Sequence, residues 1–298
     1  MMLKRSNLPM LLCLCTLLSV LGFVQAVDAQ PPGGLPGGGT RGGVAVDLDL
    51  NTFNANRNSS EEAGPVDFVW LRGRYTNYPG GSRGFRRGGG WWDTDYPDAE
   101  SNLLRGVQRY TNIDASSTSY RFMDLTDPEL FEHIFLYMNM KRVPIGTTYS
   151  GPNFNPEEIE GLREFMFRGG FVMLDDFWGE EHWQDFLVEI AKIFPERELV
   201  KLDTSHEIFH ALYDIDEIAQ VPGRMVTWDG AGFNLDDPAY PPSVHAILDD
   251  DGRVMLVANY NSDLGDGWEH TYYEPYPTRY TNEAYKLTLN YLIYAFTH

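Results

Sequence analysis

Cysteine is almost missing from this sequence: of 298 residues only Cys13 and Cys15 carry a thiol, and both lie in the apolar stretch from Leu8 to Val24. Lys4 and Arg5 precede that stretch and Ala26 and Ala29 offer small-residue cleavage points after it, the pattern of a secretory signal peptide over residues 1–29. Leu14 rather than a small residue stands before Cys15, which argues against lipid attachment. A chain that loses this leader keeps no cysteine. Disulfides, thiolate metal sites and cysteine nucleophiles go with it.

Long apolar runs are equally scarce. No later segment reaches the roughly eighteen residues that a membrane-crossing helix needs, so the body is expected in an extracytoplasmic compartment, periplasmic or secreted, with no membrane span after leader removal. Positive charge is the third shortage: 23 Lys and Arg face 43 Asp and Glu, a formal net charge of −20. Such a chain repels phosphate backbones, which excludes nucleic acid and leaves cations, small molecules, carbohydrates or proteins as partners.

What is present falls into three parts. Residues 30–64 open on Gln30-Pro31-Pro32-Gly33-Gly34 and continue rich in Gly, Asn and Asp, too polar to offset chain entropy, and read as a disordered linker. Residues 65–298 read as one folded domain. Its clearest unit runs from Asn155 to Trp178. Asn155-Pro156-Glu157-Glu158 is a helix start, Ile159, Leu162, Phe165 and Met166 give one apolar face, and Gly169 stops the helix. Phe171-Val172-Met173-Leu174 then suits a strand buried on both faces, with Asp175 and Asp176 where it runs out.

Further strands are expected at 66–71, 119–125, 133–138 and 199–202, and a hairpin at 243–248 and 254–259 around Asp249-Asp250-Asp251-Gly252. Helices are expected after Asp98 as cap, over 180–194, over 206–218 and over 282–296. A glycine and arginine loop occupies 80–90. Strands alternating with helices define an α/β fold, a three-layer α/β/α sandwich with a mostly parallel, flavodoxin-like or amidotransferase-like sheet. Ligands of such sheets sit beyond the carboxyl ends of the strands.

Trp92, Asp95, Tyr96 and Pro97, the block from Leu162 to Asp176, the segment His206 to Tyr213, Asp251-Gly252-Arg253, and Asn261 through Glu269 occur in an order that resembles the family called domain of unknown function 4159. The likeness covers about residues 66–298. It implies an α/β/α domain similar to class I glutamine amidotransferases and trehalose-utilisation proteins. Amidotransferase chemistry needs a nucleophilic Cys at a strand-to-helix elbow, and the mature chain supplies none.

Three constellations carry candidate chemistry. His206-Glu207-Ile208-Phe209-His210 matches H-E-x-x-H, which on a helix lets both imidazoles share Zn²⁺ with Glu207 as general base; this is the alternative reading as a metal-dependent hydrolase. The extended metalloprotease pattern would place a third ligand at Asp216, but it needs Gly where Tyr213 stands, and the family pattern often has Pro at Glu207. The plainer reading has the two His flanking a loop-to-helix junction.

Asp175, Asp176, Glu180, Glu181 and His182 offer oxygen ligands and one imidazole to a divalent cation. The plainer alternative makes one Asp a helix cap and leaves the other solvated. Asn259, Asn261, Asp263, Asp266 and Glu269 form an acidic loop without EF-hand order, where Trp268 would serve as a sugar platform beside Trp91, Trp92, Trp178 and Tyr272. Arg72 and Arg74 leave the first strand at the same edge and suit ion pairs with Asp175 and Asp176, or an anionic ligand. The leading expectation is a non-catalytic ligand-binding or interaction domain.

Overall fold

A computed structural model of the chain describes residues 67–76, 91–141, 143–145, 148–223 and 240–298. The leader, the linker and the glycine–arginine loop lie outside the described residues. Nine strands follow in chain order: β1 (Trp70–Arg74), β2 (Tyr120–Asp124), β3 (Phe135–Asn139), β4 (Val143–Ile145), β5 (Thr148–Ser150), β6 (Phe171–Phe177), β7 (Leu199–Lys201), β8 (Ser243–Leu248) and β9 (Val254–Tyr260). The helices are α1 (Asp98–Tyr110), α2 (Pro156–Phe167), α3 (Gly179–Ile193), α4 (Leu264–Glu269) and α5 (Thr278–Thr297).

Seven strands form one sheet in the order β2-β1-β3-β6-β9-β8-β7. The first five are mutually parallel, and β8 and β7 each pair antiparallel with their neighbour. β4 and β5 make a separate two-stranded ribbon. Counted alone, the parallel strands stand in the doubly wound order 2-1-3-4-5, which puts the topological switch point between β1 and β3.

Strand alternation builds two cores. Trp70, Phe135, Tyr137, Phe171 and Met173 face a cluster that includes Leu103 and Val107 of α1 and Ala284, Leu287 and Tyr291 of α5. Leu71, Leu136, Met138, Val172 and Leu174 point the other way, onto Leu162, Phe165 and Met166 of α2 and Phe186, Ile190 and Ile193 of α3. Two helical layers thus sandwich the sheet, as the sequence pattern requires.

The α2–β6 unit is as the sequence predicts. Asn155 accepts from the Glu158 amide while Glu158 reaches back to the Asn155 amide, a reciprocal capping box, and Gly169 takes φ of 105°. Three expectations are corrected. Asp98 is not a cap but the first residue of α1, whose N-cap, Pro97, gives no side-chain bond. The last helix starts at Thr278 instead of 282. The helix expected over 206–218 is absent: only a 3-10 turn, Glu207–Phe209, forms. Asn290 of α5 explains this, since its Oδ1 accepts from the Leu212 and Tyr213 amides at 3.0 and 2.8 Å and its Nδ2 donates to the Tyr213 carbonyl. Tertiary bonds replace those a helix would have made.

Gly161 lies inside α2, where Ala would ordinarily help by about 1 kcal/mol. A Cβ there would sit 2.0 Å from the Leu125 carbonyl oxygen. Gly161→Ala is therefore expected to lower stability by about 1–3 kcal/mol in urea unfolding; a stabilised variant would mean that α2 does not approach β2's exit this closely.

Candidate acidic cleft

The carboxyl ends of β1, β3, β6 and β9 converge with the 91–97 segment and α4 to form one acidic site. Arg72 anchors it. Fully buried, it donates through Nε to Glu100 at 2.5 Å and through Nη1 to the Trp92 and Thr94 carbonyls, with its guanidinium 4.8 Å over the Tyr137 ring. Burial would lower its pKa, but Glu100, Tyr137 and Asp95 drive it above the ordinary value. The carbonyls it grips lie in the turn that carries Asp95, a non-glycine residue at φ of 66°. Arg74 pairs with Asp124 at the sheet edge. The expected pairing of either arginine with Asp175 or Asp176 is not made, because nearer acids on α1 and β2 claim them.

Asp175 and Asp176 both lie within β6, not beyond it, and both are buried. Neither is solvated and α3 is capped by Trp178, so the plainer reading fails. The register between β6 and β9 slips between Leu174 and Phe177, and Asp176 takes φ of 61°. This bulge lets neighbouring carboxylates serve one cleft. Asp175 Oδ2 accepts from the Gly265 amide at 3.0 Å and from the Tyr137 hydroxyl at 3.3 Å, while Oδ1 has no hydrogen-bond partner among the described residues. Asp176 accepts from Asn139 and Lys141 through Oδ2 and from the Trp178 indole through Oδ1, each at 3.1 Å.

α4 brings the second half. Asp263 caps it, its Oδ1 accepting from the Asp266 amide at 2.9 Å. One carboxylate oxygen each from Asp95, Asp263 and Asp266 lie within 4.8 Å of one another, and Asp95 Oδ2 is buried without a hydrogen-bond partner among the described residues. An ideal Cβ on Gly265 would stand 2.7 Å from Asp95 Oδ2 and 3.0 Å from the Tyr137 hydroxyl, so glycine is what lets the α4 backbone reach Asp175. A second group, Asp266, Glu269 and His270, adjoins the first.

Among the described residues six carboxyl groups, those of Asp95, Asp175, Asp176, Asp263, Asp266 and Glu269, thus crowd into one region, and Asp176, Asp263, Asp95 and Asp266 act on the Lys141 ammonium. Burial and then Asp176 push the Asp175 carboxyl up to about 8. Burial, with Asp266 as the next cause for Asp95 and Asp176 for Asp263, holds those two well above the carboxylate range. Burial also raises Glu269, against the pull of His270.

The remaining expectations fare unevenly. Trp92 packs 5.2 Å from Phe122, away from the cleft. Asn261 is buried and structural, accepting from the Gly179 amide and donating to the Pro241 carbonyl. His182 turns inward to accept from the Trp178 amide at 3.1 Å, and Glu180 accepts from Gln184 on the outside of α3, so neither joins the two aspartates. The sugar platform is corrected: Trp268 is fully buried, 5.7 Å from Trp70 and 5.3 Å from Tyr137, with no face for a ligand.

His206 and His210 do not share a helical face. His206 Nδ1 caps the 3-10 turn, and the two nitrogens of His210 lie 3.0 Å from Asp214 and 2.8 Å from the Thr204 carbonyl. Neither belongs to the ligand groups found among the described residues. Sequence reasoning missed Tyr137, Lys141 and His270. Tyr137 lies within β3 and Lys141 two residues past its end, on the strand at the switch point, a signal that was readable; His270 carries no local pattern.

Fold and site together define a doubly wound α/β domain with a buried acidic cleft at its switch-point edge. A family model described as domain of unknown function, DUF4159, matches residues 84–296, and the chain belongs to that family. Comparison with curated proteins gave no match.

The raised carboxyls predict a pH dependence. A carboxyl with a folded pKa near 8 and an ordinary unfolded one holds its proton in the native state alone between about pH 4 and 8. Its stabilisation is complete below that window and is lost as pH rises through it. With chelator present, the melting temperature should fall from pH 5 to 8, and less steeply in Asp175→Asn. A parent as flat as the variant would remove this account.

Proposed function

We propose that this is an exported, non-catalytic binding domain whose acidic cleft takes a divalent cation. The carrying observation is the convergence of Asp95, Asp263 and Asp266 within 4.8 Å, with a buried, unpartnered Asp95 oxygen among them. An all-oxygen set of this kind suits Mg²⁺, Ca²⁺ or Mn²⁺. The Lys141–Asp176 ion pair and the buried Asp175 carboxyl adjoin it. Export rests on the leader pattern of residues 1–29, and the linker of 30–64 would then act as a tether.

Descent from an amidotransferase-like scaffold fits the parallel strand order and the β6-to-α3 junction. Strained strand-to-helix turns are where related folds present a nucleophile. Here the left-handed residue is Asp176, whose oxygens are engaged by Asn139, Lys141 and Trp178. A carboxylate so held is an anchor, which favours binding over covalent catalysis. The alternative hydrolase using His206, Glu207 and His210 has no comparable support, since the helix its motif presupposes is replaced by a 3-10 turn.

Thermal unfolding at pH 7 in Ca²⁺, Mg²⁺ or Mn²⁺ tests the proposal. A cation at a hundred times its Kd should raise the melting temperature by about 5–10 °C, and the rise should shrink clearly in the double variant Asp95→Asn, Asp263→Asn. An unshifted parent, or a variant that keeps the full rise, would sink it.

A further inference from the structure

Two sets of metal-ligand atoms meet at one residue. Asp95, Asp263 and Asp266 form the first, Asp266, Glu269 and His270 the second, each with its ligand atoms within 4.8 Å of one another. The oxygens of Asp266 divide between them. Oδ1 lies 3.4 Å from His270 Nε2. Oδ2 looks the other way: a Cβ placed on Gly223 would meet it at 3.3 Å and Asp263 Oδ2 at 3.2 Å.

His270 gives the independent observation. Only 6% exposed, it points Nε2 at two carboxylates, 3.4 Å from Asp266 and 3.2 Å from Glu269 Oε2, yet Nε2 makes no hydrogen bond among the described residues. A lone pair facing two carboxylates is repulsive, and an N–H would align with one of them. A metal needs no such alignment. Donors about 2.1 Å from a metal and roughly 100° apart sit about 3.2 Å from each other, the spacing found around Nε2. Tyr273 and Tyr276, with ring centroids 5.7 and 5.4 Å from the imidazole, hold its orientation.

We infer that the cleft holds a pair of divalent metal ions bridged by the Asp266 carboxylate, one bound by Asp95 and Asp263, the other by Glu269 and His270. The inference rests on the cation-binding reading of the cleft and extends it. The first position is all oxygen and the second adds an imidazole, so Mn²⁺, which accepts both donor types, is the ion that fits the pair. Carboxylate-bridged pairs stand about 3.5–4 Å apart, close enough for their spins to couple. Two divalent ions also offset most of the charge that the six acids carry once ionised.

The test is Mn²⁺ loading of the chelator-stripped protein, read by bound metal per chain and by low-temperature electron paramagnetic resonance. The parent should bind two Mn²⁺ and give an exchange-coupled multiline spectrum. His270→Ala should keep one Mn²⁺ with an isolated six-line signal, and Asp95→Asn should likewise lose one. His206→Ala, outside the cleft, should keep both. One Mn²⁺ with an isolated signal in the parent overturns the pair but leaves the single-cation reading standing. No bound Mn²⁺ overturns the pair, and the single-cation reading then stands or falls with the melting shift in Ca²⁺ or Mg²⁺. The parent's stoichiometry and spectrum decide the matter even where a variant does not fold.

Discussion

The buried guanidinium of Arg72 is the constraint on which the acidic cleft depends. It sits on the strand beside the switch point, and it ties three things together: Glu100 on α1, the carbonyls of Trp92 and Thr94, and the face of Tyr137 on β3. Buried ion pairs return little net stability, because desolvation consumes most of the Coulombic gain. Their value here is position. A turn gripped at Trp92 and Thr94 has little freedom at Asp95, so a residue from before α1 is fixed opposite α4, which lies some 170 positions further along the chain.

That arrangement is electrostatically expensive. Asp95, Asp175 and Asp263 all resist ionisation through burial and repulsion from neighbouring acids, Asp266 and Asp176 above all, and Lys141 compensates only part of the charge. Protons and metal ions are the two ways to relieve such crowding, and they compete for the same oxygens. Raised carboxyls favour bound protons in the metal-free cleft, and a cation that loads there would displace them. Apolar side chains at these positions would serve stability alone at little cost, so the fold itself does not call for this concentration of acids.

Much of the scaffold could be read directly from the chain. Asn155, Pro156, Glu158 and Gly169 specify their helix by local chemistry alone, and the Asp249 to Gly252 turn specifies its hairpin. The site is legible in part: Asp175 and Asp176 stand out at a strand end, Asp263, Asp266 and Glu269 in an acidic loop, and Asp95 in the segment before α1. What failed did so for non-local reasons. Asn290 dissolves the expected 206–218 helix from more than seventy residues away, and with it the H-E-x-x-H geometry. Trp268 looks like a ligand platform beside Glu269, yet Trp70 and Tyr137 enclose it. His270 acquires meaning only because Asp266 and Glu269 share its short helical turn.

The bulge in β6 explains why two adjacent aspartates can act together at all. In a regular strand successive side chains point to opposite faces, so Asp175 would join the α1/α5 side with Tyr137, and Asp176 would be driven into the apolar layer of α2 and α3. Such a placement would bury an unpaired charge beside Leu174 and the α2/α3 layer that holds Phe186, at a cost of several kcal/mol. The left-handed backbone at Asp176 and the slip in register against β9 turn it back toward Asn139 and Lys141 instead. Asparagine or aspartate tolerates that conformation better than other side chains, and glycine would tolerate it while offering no carboxylate. Strain at one residue of the central strand is thus what gathers both neighbouring carboxyl groups at the end of an otherwise ordinary parallel sheet.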